Sequence, residues 1–392
     1  MSGVLESIFD GPIDPADATE AQCLFEQRAG IYVGAAHDLA NDIASDLDPA
    51  RFGIGWWAPH PDDRRRVFIS DYLFQCANSV SNNSAEAALH LSLAEAAHDA
   101  TNARMAHAVV LRKVGPEAYV PHAVETPKPT SLVDLLPAKL TDLHVAGFFR
   151  AVGSALDTMA AVAIAVAAFE TPIVRADFRR LLDYLKTSFA PTAGGQLQQR
   201  VKDTITGAVR KAGPEGWLAW TLEFRNMLVH RGRRTQFHAI ARDAGPVLYS
   251  ADGTPIPRAR IVMHLARDPR NSDLQAFFGG NVEPSRLTNV LDEDGLRALR
   301  SALEAVIFVV KELSTALLSV WRERRAQPTL LAQPREQWPD LAIHPDPFAG
   351  FEPGTFPMTA DAAFTSQLNV RRFAAAAVDT ANRHRWKTFT GS

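Results

Sequence analysis

The chain has 392 residues, and its 46% hydrophobic and 22% charged residues are an ordinary balance that excludes intrinsic disorder as the main state. Because 41 Lys and Arg stand against 44 Asp and Glu, the net charge is −3, so binding to nucleic acid would need a local basic patch. Two cysteines, Cys23 and Cys76, cannot build a disulfide framework and are interpreted as inert free thiols. No Lys or Arg precedes Arg28, which argues against a secretory signal, and we expect a cytoplasmic protein.

Helical patterns dominate the chain. Apolar residues at helical spacing predict helices over residues 84–111, 141–169, 177–189, 196–212, 215–231 and 295–325. The stretch 151–169 is apolar enough to resemble a membrane span, but it is built largely of alanine and carries Asp157. Since alanine drives insertion weakly and an acid is costly in lipid, we predict a buried bundle helix and no membrane contact.

The pattern changes between the last two predicted helices. Residues 236–241 and 258–265 read as strands, and a turn signal between them predicts a small β-hairpin inserted at about 235–270. Seven prolines lie between residues 328 and 357, which excludes a helix there and predicts an extended segment. A short helix is predicted over 360–383.

The predicted fold class is therefore mainly α. A helical bundle over 138–325 contains the β insertion. A helical N-terminal region over 1–130 precedes the bundle, and a Pro-rich linker with a C-terminal helix follows it over 328–392.

The most informative segment is the end of the helix predicted over 215–231, which carries Arg225, Asn226 and His230. Residues four apart share a helix face, so Asn226 and His230 face the same way, whereas Arg225 lies about 140° from His230 and flanks that face. One copy makes a loose polar edge, but two copies from two helices could enclose a phosphate.

Arg-Asn-x-x-x-His near the end of a late bundle helix resembles the signature of HEPN domains (higher eukaryotes and prokaryotes nucleotide-binding). The segment 148–157 also resembles the first long helix of that family, in which Asp157 would be the polar residue that faces the motif. The resemblance covers 138–325, about half of the chain. The β insertion after His230 departs from the plainest HEPN bundle.

The resemblance implies a metal-independent RNA endonuclease that works as a homodimer and needs no cofactor. Arg225, Asn226 and His230 would be the catalytic residues, with Asp157 supporting them. Histidine is suited to take a proton from the ribose 2′-hydroxyl near neutral pH, and arginine to stabilise the charge that gathers on the phosphorane. By family analogy the role is that of a toxin or an anti-phage effector, for which an antitoxin or other regulatory protein would be a partner.

A local basic stretch follows the motif, with no acid before Asp243. It contains Arg231, Arg233, Arg234 and His238. We interpret it as a patch for RNA phosphates, while a solvated helix end and loop is the alternative.

Two other interpretations of these helices remain open. The chain could be a non-catalytic HEPN-like dimeric module that binds a partner or a nucleotide, or Arg225 and His230 could simply interact with the helix dipole.

Glu95 and His98 have the Glu-x-x-His spacing of di-iron bundles, but no second such motif occurs, so no metal site is predicted.

Overall fold

A computed structural model describes residues 33–46, 63–111, 132–231, 236–242, 248–249, 255–256, 259–269, 291–331 and 351. The described residues are 81% helical, which is consistent with the predicted mainly α fold class. The seven α-helices among these residues are α1 (Gly34–Asp46), α2 (Asp63–Leu111), α3 (Leu132–Val166), α4 (Phe178–Tyr184), α5 (Ala193–Ala212), α6 (Trp217–Arg231) and α7 (Gly295–Ala326). Short 3₁₀ turns span Ile173–Arg175 and Pro328–Leu330.

The strands follow α6. Strand β1 (Gln236–Arg242) pairs antiparallel with β4 (Ala259–Leu265), in a register that runs from Gln236 opposite Leu265 to Arg242 opposite Ala259. The short strands β2 (Leu248–Tyr249) and β3 (Pro255–Ile256) pair with each other. The two long strands agree with the predicted hairpin to within one residue.

Helix starts differ most from the sequence-based expectation. Helix α2 begins at Asp63 rather than at residue 84, because buried Ile69, Leu73 and Val80 outweigh the low helix propensity of the Ser- and Asn-rich stretch that follows them. Helix α3 begins at Leu132 and contains Pro137. The helix expected over 360–383 and Cys23 lie outside the described residues.

The described chain divides into two compact units. The first unit contains Ser81–Gly153 and Ala212–Ile307. The second contains Val33–Val80, Ser154–Lys211 and the described residues from Phe308 onward. Long helices α2, α3 and α7 contribute residues to both. The domain boundaries expected from sequence stay a prediction.

Helix α3 contains the one stretch of the described residues that is long and apolar enough to resemble a membrane span. Its stretch Leu136–Val166 is long and apolar enough to cross a membrane, with a mean hydropathy of 1.5, but 78% of its most apolar window is buried within the protein. Every residue from 159 to 169 is buried. The expected burial of this segment is confirmed.

In the second unit, the C-terminal end of α3 is buried, and its carbonyls are satisfied without water. Ala168 adopts a left-handed φ of 51°, and the Phe169 amide donates to the Ile164 carbonyl at 3.0 Å, which closes the helix. The Arg324 guanidinium donates to the carbonyls of Ala165 and Val166 at 3.1 and 2.6 Å.

The carboxamide of Gln198 completes this end by donating to the carbonyls of Ala167 and Ala168 at 3.0 and 3.1 Å. Arg324 is only 1% exposed, and burial lowers the pKa of its guanidinium to about 10, so it remains charged at neutral pH. A charged donor here meets the negative end of the α3 dipole.

We therefore expect Arg324→Met to destabilise the protein. The methionine keeps most of the apolar stem but removes the guanidinium donors, so that the Val166 carbonyl loses its 2.6 Å bond and the Ala165 carbonyl keeps the longer bond of 3.4 Å from the Ala168 amide. This loss should lower the free energy of unfolding by about 1 to 3 kcal/mol. Urea denaturation followed by circular dichroism measures this change. The matched control is Arg322→Met on the same helix, which removes an exposed ion pair with Asp42 and should leave the midpoint near that of the wild type. Equal losses in the two variants would contradict the role of Arg324.

Candidate functional site

Helix α6 carries the predicted motif and begins after a tight turn. The Trp217 amide donates to the Pro214 carbonyl at 3.2 Å, and Gly216 adopts a positive φ of 85°, a conformation that favours glycine. Pro214 therefore lies in the turn before α6.

An aromatic cluster holds α6 against α3 in the first unit. Phe149 stacks on Phe224 with ring centroids 4.6 Å apart, and Trp220 meets both rings edge-on at 5.6 and 4.9 Å. The Trp220 indole N–H also donates to the Ala266 carbonyl at 2.9 Å. Because Phe224 and Met227 are fully buried, the rotation of α6 about its axis is fixed, and with it the direction of the two residues between them, Arg225 and Asn226.

The side chain of Arg225 lies across Gly153 of α3. A Cβ placed on Gly153 would be only 2.9 Å from Cγ of Arg225 and 3.1 Å from its Nε. The absence of a side chain at Gly153 therefore provides the space that the half-buried arginine occupies. This contact between α3 and α6 could not be read from the sequence, because nothing local to either residue signals it.

The motif residues are only partly described by the structure. Nη1 of Arg225 donates to Oδ1 of Asn226 in a long hydrogen bond of 3.4 Å. The backbone of His230 lies one helical turn beyond Asn226 in α6, but its side chain lies outside the described residues. The structure thus brings Arg225 and Asn226 together, and the place of the His230 imidazole stays a prediction.

The basic stretch after the motif lies largely outside the described residues. Arg231 ends α6 and His238 pairs with Met263 across β1 and β4, but neither side chain is described. Arg233 and Arg234 are outside the described ranges altogether. A role for these four residues in binding RNA stays a prediction.

Asp157 belongs to the second unit, where it has a structural partner. Its Oδ1 accepts a hydrogen bond from the Phe178 amide at 3.0 Å, which satisfies a free N–H at the start of α4. Asp177 caps the same helix by accepting from the Arg180 amide at 2.7 Å. The expected support of the motif by Asp157 stays a prediction.

A second polar cluster lies between α2 and α3 in the first unit. Nδ1 of His90 and Nδ1 of His144 are 3.0 Å apart, Nε2 of His90 lies 3.5 Å from the Glu86 carboxylate, and Arg150 donates to that carboxylate at 3.1 Å. Gly147 allows the contact, since a Cβ there would lie 2.5 Å from the His90 ring.

The sequence does not reveal the partners of Glu86 and His90 on α3, because a contact 54 residues away leaves no local pattern. Of the Glu-x-x-His pair, Glu95 binds Arg300 and His98 is buried. Among the described residues, no group of three or more His, Cys, Asp or Glu side chains could hold a metal ion.

The histidine pair predicts a pH dependence of stability. Two imidazoles joined through their Nδ1 atoms need a lone pair on one of them, and burial together with the charge of His90 lowers the pKa of His144 from 6.5. As the pH falls, His144 therefore takes up its proton in the unfolded chain at a higher pH than in the folded protein. The free energy of unfolding should be highest above about pH 7 and should fall as the pH decreases through 6.5 toward the lowered pKa of His144.

Urea denaturation at a series of pH values measures this slope. The variant His144→Asn, which keeps a polar group near the Nδ1 position, should lose part of it. A slope identical to that of the wild type would refute the assignment.

Cys76 is buried and unsuited to nucleophilic chemistry. Burial raises the pKa of its thiol to about 11, so the thiolate is scarce at neutral pH. The neighbouring Tyr72, also shielded from water, has a pKa raised to about 12. The expectation of an inert thiol is confirmed for Cys76.

The site around Arg225 thus combines a guanidinium fixed on a glycine with a neighbouring carboxamide. Both are donors suited to an anion, and neither commits the site to a particular reaction. Comparison with protein-family models, curated proteins and solved structures finds no match to this chain. Membership of the HEPN family stays a prediction.

Proposed function

We propose that this chain is a metal-independent RNA endonuclease of the HEPN type. The observation that carries the proposal is the position of Arg225, whose side-chain stem packs on Gly153 of α3. A guanidinium held in place can stabilise charge on a phosphate without reorganising during the reaction. The motif spacing supplies the remaining group, His230, one turn further along α6.

The proposed reaction uses the ribose itself as nucleophile. His230 takes the proton of the 2′-hydroxyl, the 2′-oxygen bonds to phosphorus, and the bond from phosphorus to the 5′-oxygen breaks. The leaving 5′-oxygen takes up a proton from water. The products are a 2′,3′-cyclic phosphate and a 5′-hydroxyl, and Arg225 neutralises the charge that develops on the phosphorane.

The proposed active species is a two-fold symmetric homodimer. Arg225 and His230 are five residues apart on one helix, so they flank a face rather than meet over a phosphate. A second copy of α6 across a symmetric interface would supply the opposite wall. The protein would act in the cytoplasm. The RNA phosphates would be bound by the basic residues that follow the motif, Arg231, Arg233, Arg234 and His238.

The same analogy makes the protein a toxin or an anti-phage effector, with an antitoxin or regulatory protein as partner. Such a partner would have to cover the cleft or separate the two copies in order to keep the nuclease silent. Co-purification from the native host would identify it.

A non-catalytic interaction or nucleotide-binding module is the second candidate. The contact between Arg225 and Asn226 favours it, because a guanidinium that bonds a neighbour on its own helix is partly used for structure. Protein that binds RNA as a dimer but never cuts it would support this candidate over the nuclease.

We expect His230→Ala to lower RNA cleavage by about two to four orders of magnitude, the usual worth of a positioned acid or base. Incubation of the purified protein with total RNA, with and without EDTA, measures the rate, and mass spectrometry of the fragments identifies their ends.

Cleavage that persists in EDTA, leaves cyclic phosphate ends and is lost in a folded His230→Ala dimer is the expected result. Cleavage only with added Mg²⁺, or by a species that light scattering shows to be monomeric, would contradict the proposal.

Gly153→Ala tests whether the position of Arg225 matters. The added methyl group would collide with the arginine stem and displace the guanidinium, which should lower cleavage by about 10- to 100-fold, as small misplacements of catalytic groups do.

The matched control is Gly207→Ala on α5, where no neighbouring atom lies within 4 Å of the added Cβ. That variant should cut RNA at the wild-type rate. Equal activity of both variants, with both folded by circular dichroism, would show that the Arg225 position is unimportant.

A further inference from the structure

A cavity of about 570 Å³ lies in the first unit, at the opposite end of α6 from the motif. Its walls come from the turn between α5 and α6, from the first turns of α6 and from the N-terminal half of α7. The volume is within the range of pockets that bind small molecules. The proposed nuclease chemistry makes no use of it.

One wall is made by small residues at helical spacing. Ala298, Ala302 and Ala305 of α7 present only methyl groups, and all three are nearly buried. Larger side chains at these positions would fill the space. The cavity therefore has an apolar floor that a flat or slender apolar group can contact.

Two indole rings form the aromatic part of the lining. Trp220 is held by its hydrogen bond to the Ala266 carbonyl and by its edge contacts with Phe149 and Phe224. Trp217 packs against the preceding turn, where a Cβ on Gly213 would lie 3.0 Å from two of its ring atoms. Both rings are thus positioned by the fold before any ligand arrives.

The charged side chains that line the cavity are mostly negative. They comprise one guanidinium, that of Arg267, and three carboxylates, those of Glu215, Glu293 and Glu304. The guanidinium is already bound to Asp292 at 2.8 Å, so its charge is largely compensated. Such a lining repels phosphate and attracts a positive group, which argues against an extension of the RNA site into this cavity.

We propose that this cavity binds a small organic cation, an alkylammonium or guanidinium group, between the indole rings and the carboxylates. Aromatic faces attract cations through their quadrupole, and carboxylates add direct attraction and hydrogen bonds. The apolar floor on α7 accepts the carbon chain that carries the charge. The cation comes either from a free metabolite or from a Lys or Arg side chain of a partner.

Isothermal titration calorimetry on the full chain tests the proposal with defined probes. Spermidine, agmatine and choline represent free cations, a short Lys- and Arg-containing peptide represents a partner side chain, and 3,3-dimethyl-1-butanol is the neutral isostere of choline. We expect at least one cation to bind, the neutral isostere not to bind, and affinity to fall as the salt concentration rises. Binding of the peptide alone or of the free cations alone identifies the source.

Three variants locate the binding. Trp217→Ala should weaken binding by about 3- to 30-fold, the range that cation–π contacts provide. Glu304→Gln should weaken it by a similar factor, because the amide loses the charge that attracts the cation. Ala302→Leu should fill the cavity and abolish binding. Glu312→Gln, an exposed carboxylate on α7 outside the cavity, is the control and should bind as the wild type does.

Glu304 is exposed, so Glu304→Gln should fold even if the larger changes do not. Failure of every cation to bind at millimolar concentration would overturn the proposal. Equal binding of the neutral isostere, or unchanged affinity in Glu304→Gln and Trp217→Ala, would also overturn it. The readout is binding alone, so the result is independent of RNA cleavage.

Discussion

The buried C-terminal end of α3 is the constraint on which the second unit depends. A helix end leaves four carbonyls without partners, and water normally satisfies them. Here the residues around them are fully buried, so protein donors must do so. Arg324 and Gln198 reach this end from two other helices and supply the donors. The packing of α5 and α7 beside α3 is thereby tied to hydrogen bonds that apolar contacts alone would not specify.

The first unit uses the same apolar helix in a different way. Two polar side chains lie directly on the backbone of α3, where glycine leaves room for them: His90 on Gly147 and Arg225 on Gly153. A helix built of large apolar residues would hold these groups several ångströms away. Glycine costs a helix about 1 kcal/mol relative to alanine, and here each glycine is offset by a close contact with a neighbouring helix.

The sequence predicted most helices and the long strand pair because both rest on local periodicity. Helix α7 and strand β4 each begin within one residue of expectation. Contacts between distant residues could not be predicted in this way. Two such contacts join helices that are far apart in the chain: His90 with His144, and Arg225 with Gly153. The cavity at Trp217 likewise forms only when α6 packs against α7. Spacing along one helix identified the motif but not its surroundings.

Arg231 is the last residue of α6, where a cation meets the negative end of the helix dipole whatever the protein does. Arg225 lies near the middle of the same helix, where the dipole of the helix ends acts weakly. The packing of Arg225 on Gly153 therefore needs another explanation. A dipole partner needs no fixed position, and an exposed arginine would serve while keeping its rotamer entropy, which is worth up to about 2 kcal/mol. Confining the stem on Gly153 gives up part of that entropy. The proposed stabilisation of a developing phosphorane would use a guanidinium held in one place, whereas interaction with the helix dipole would not need that restraint.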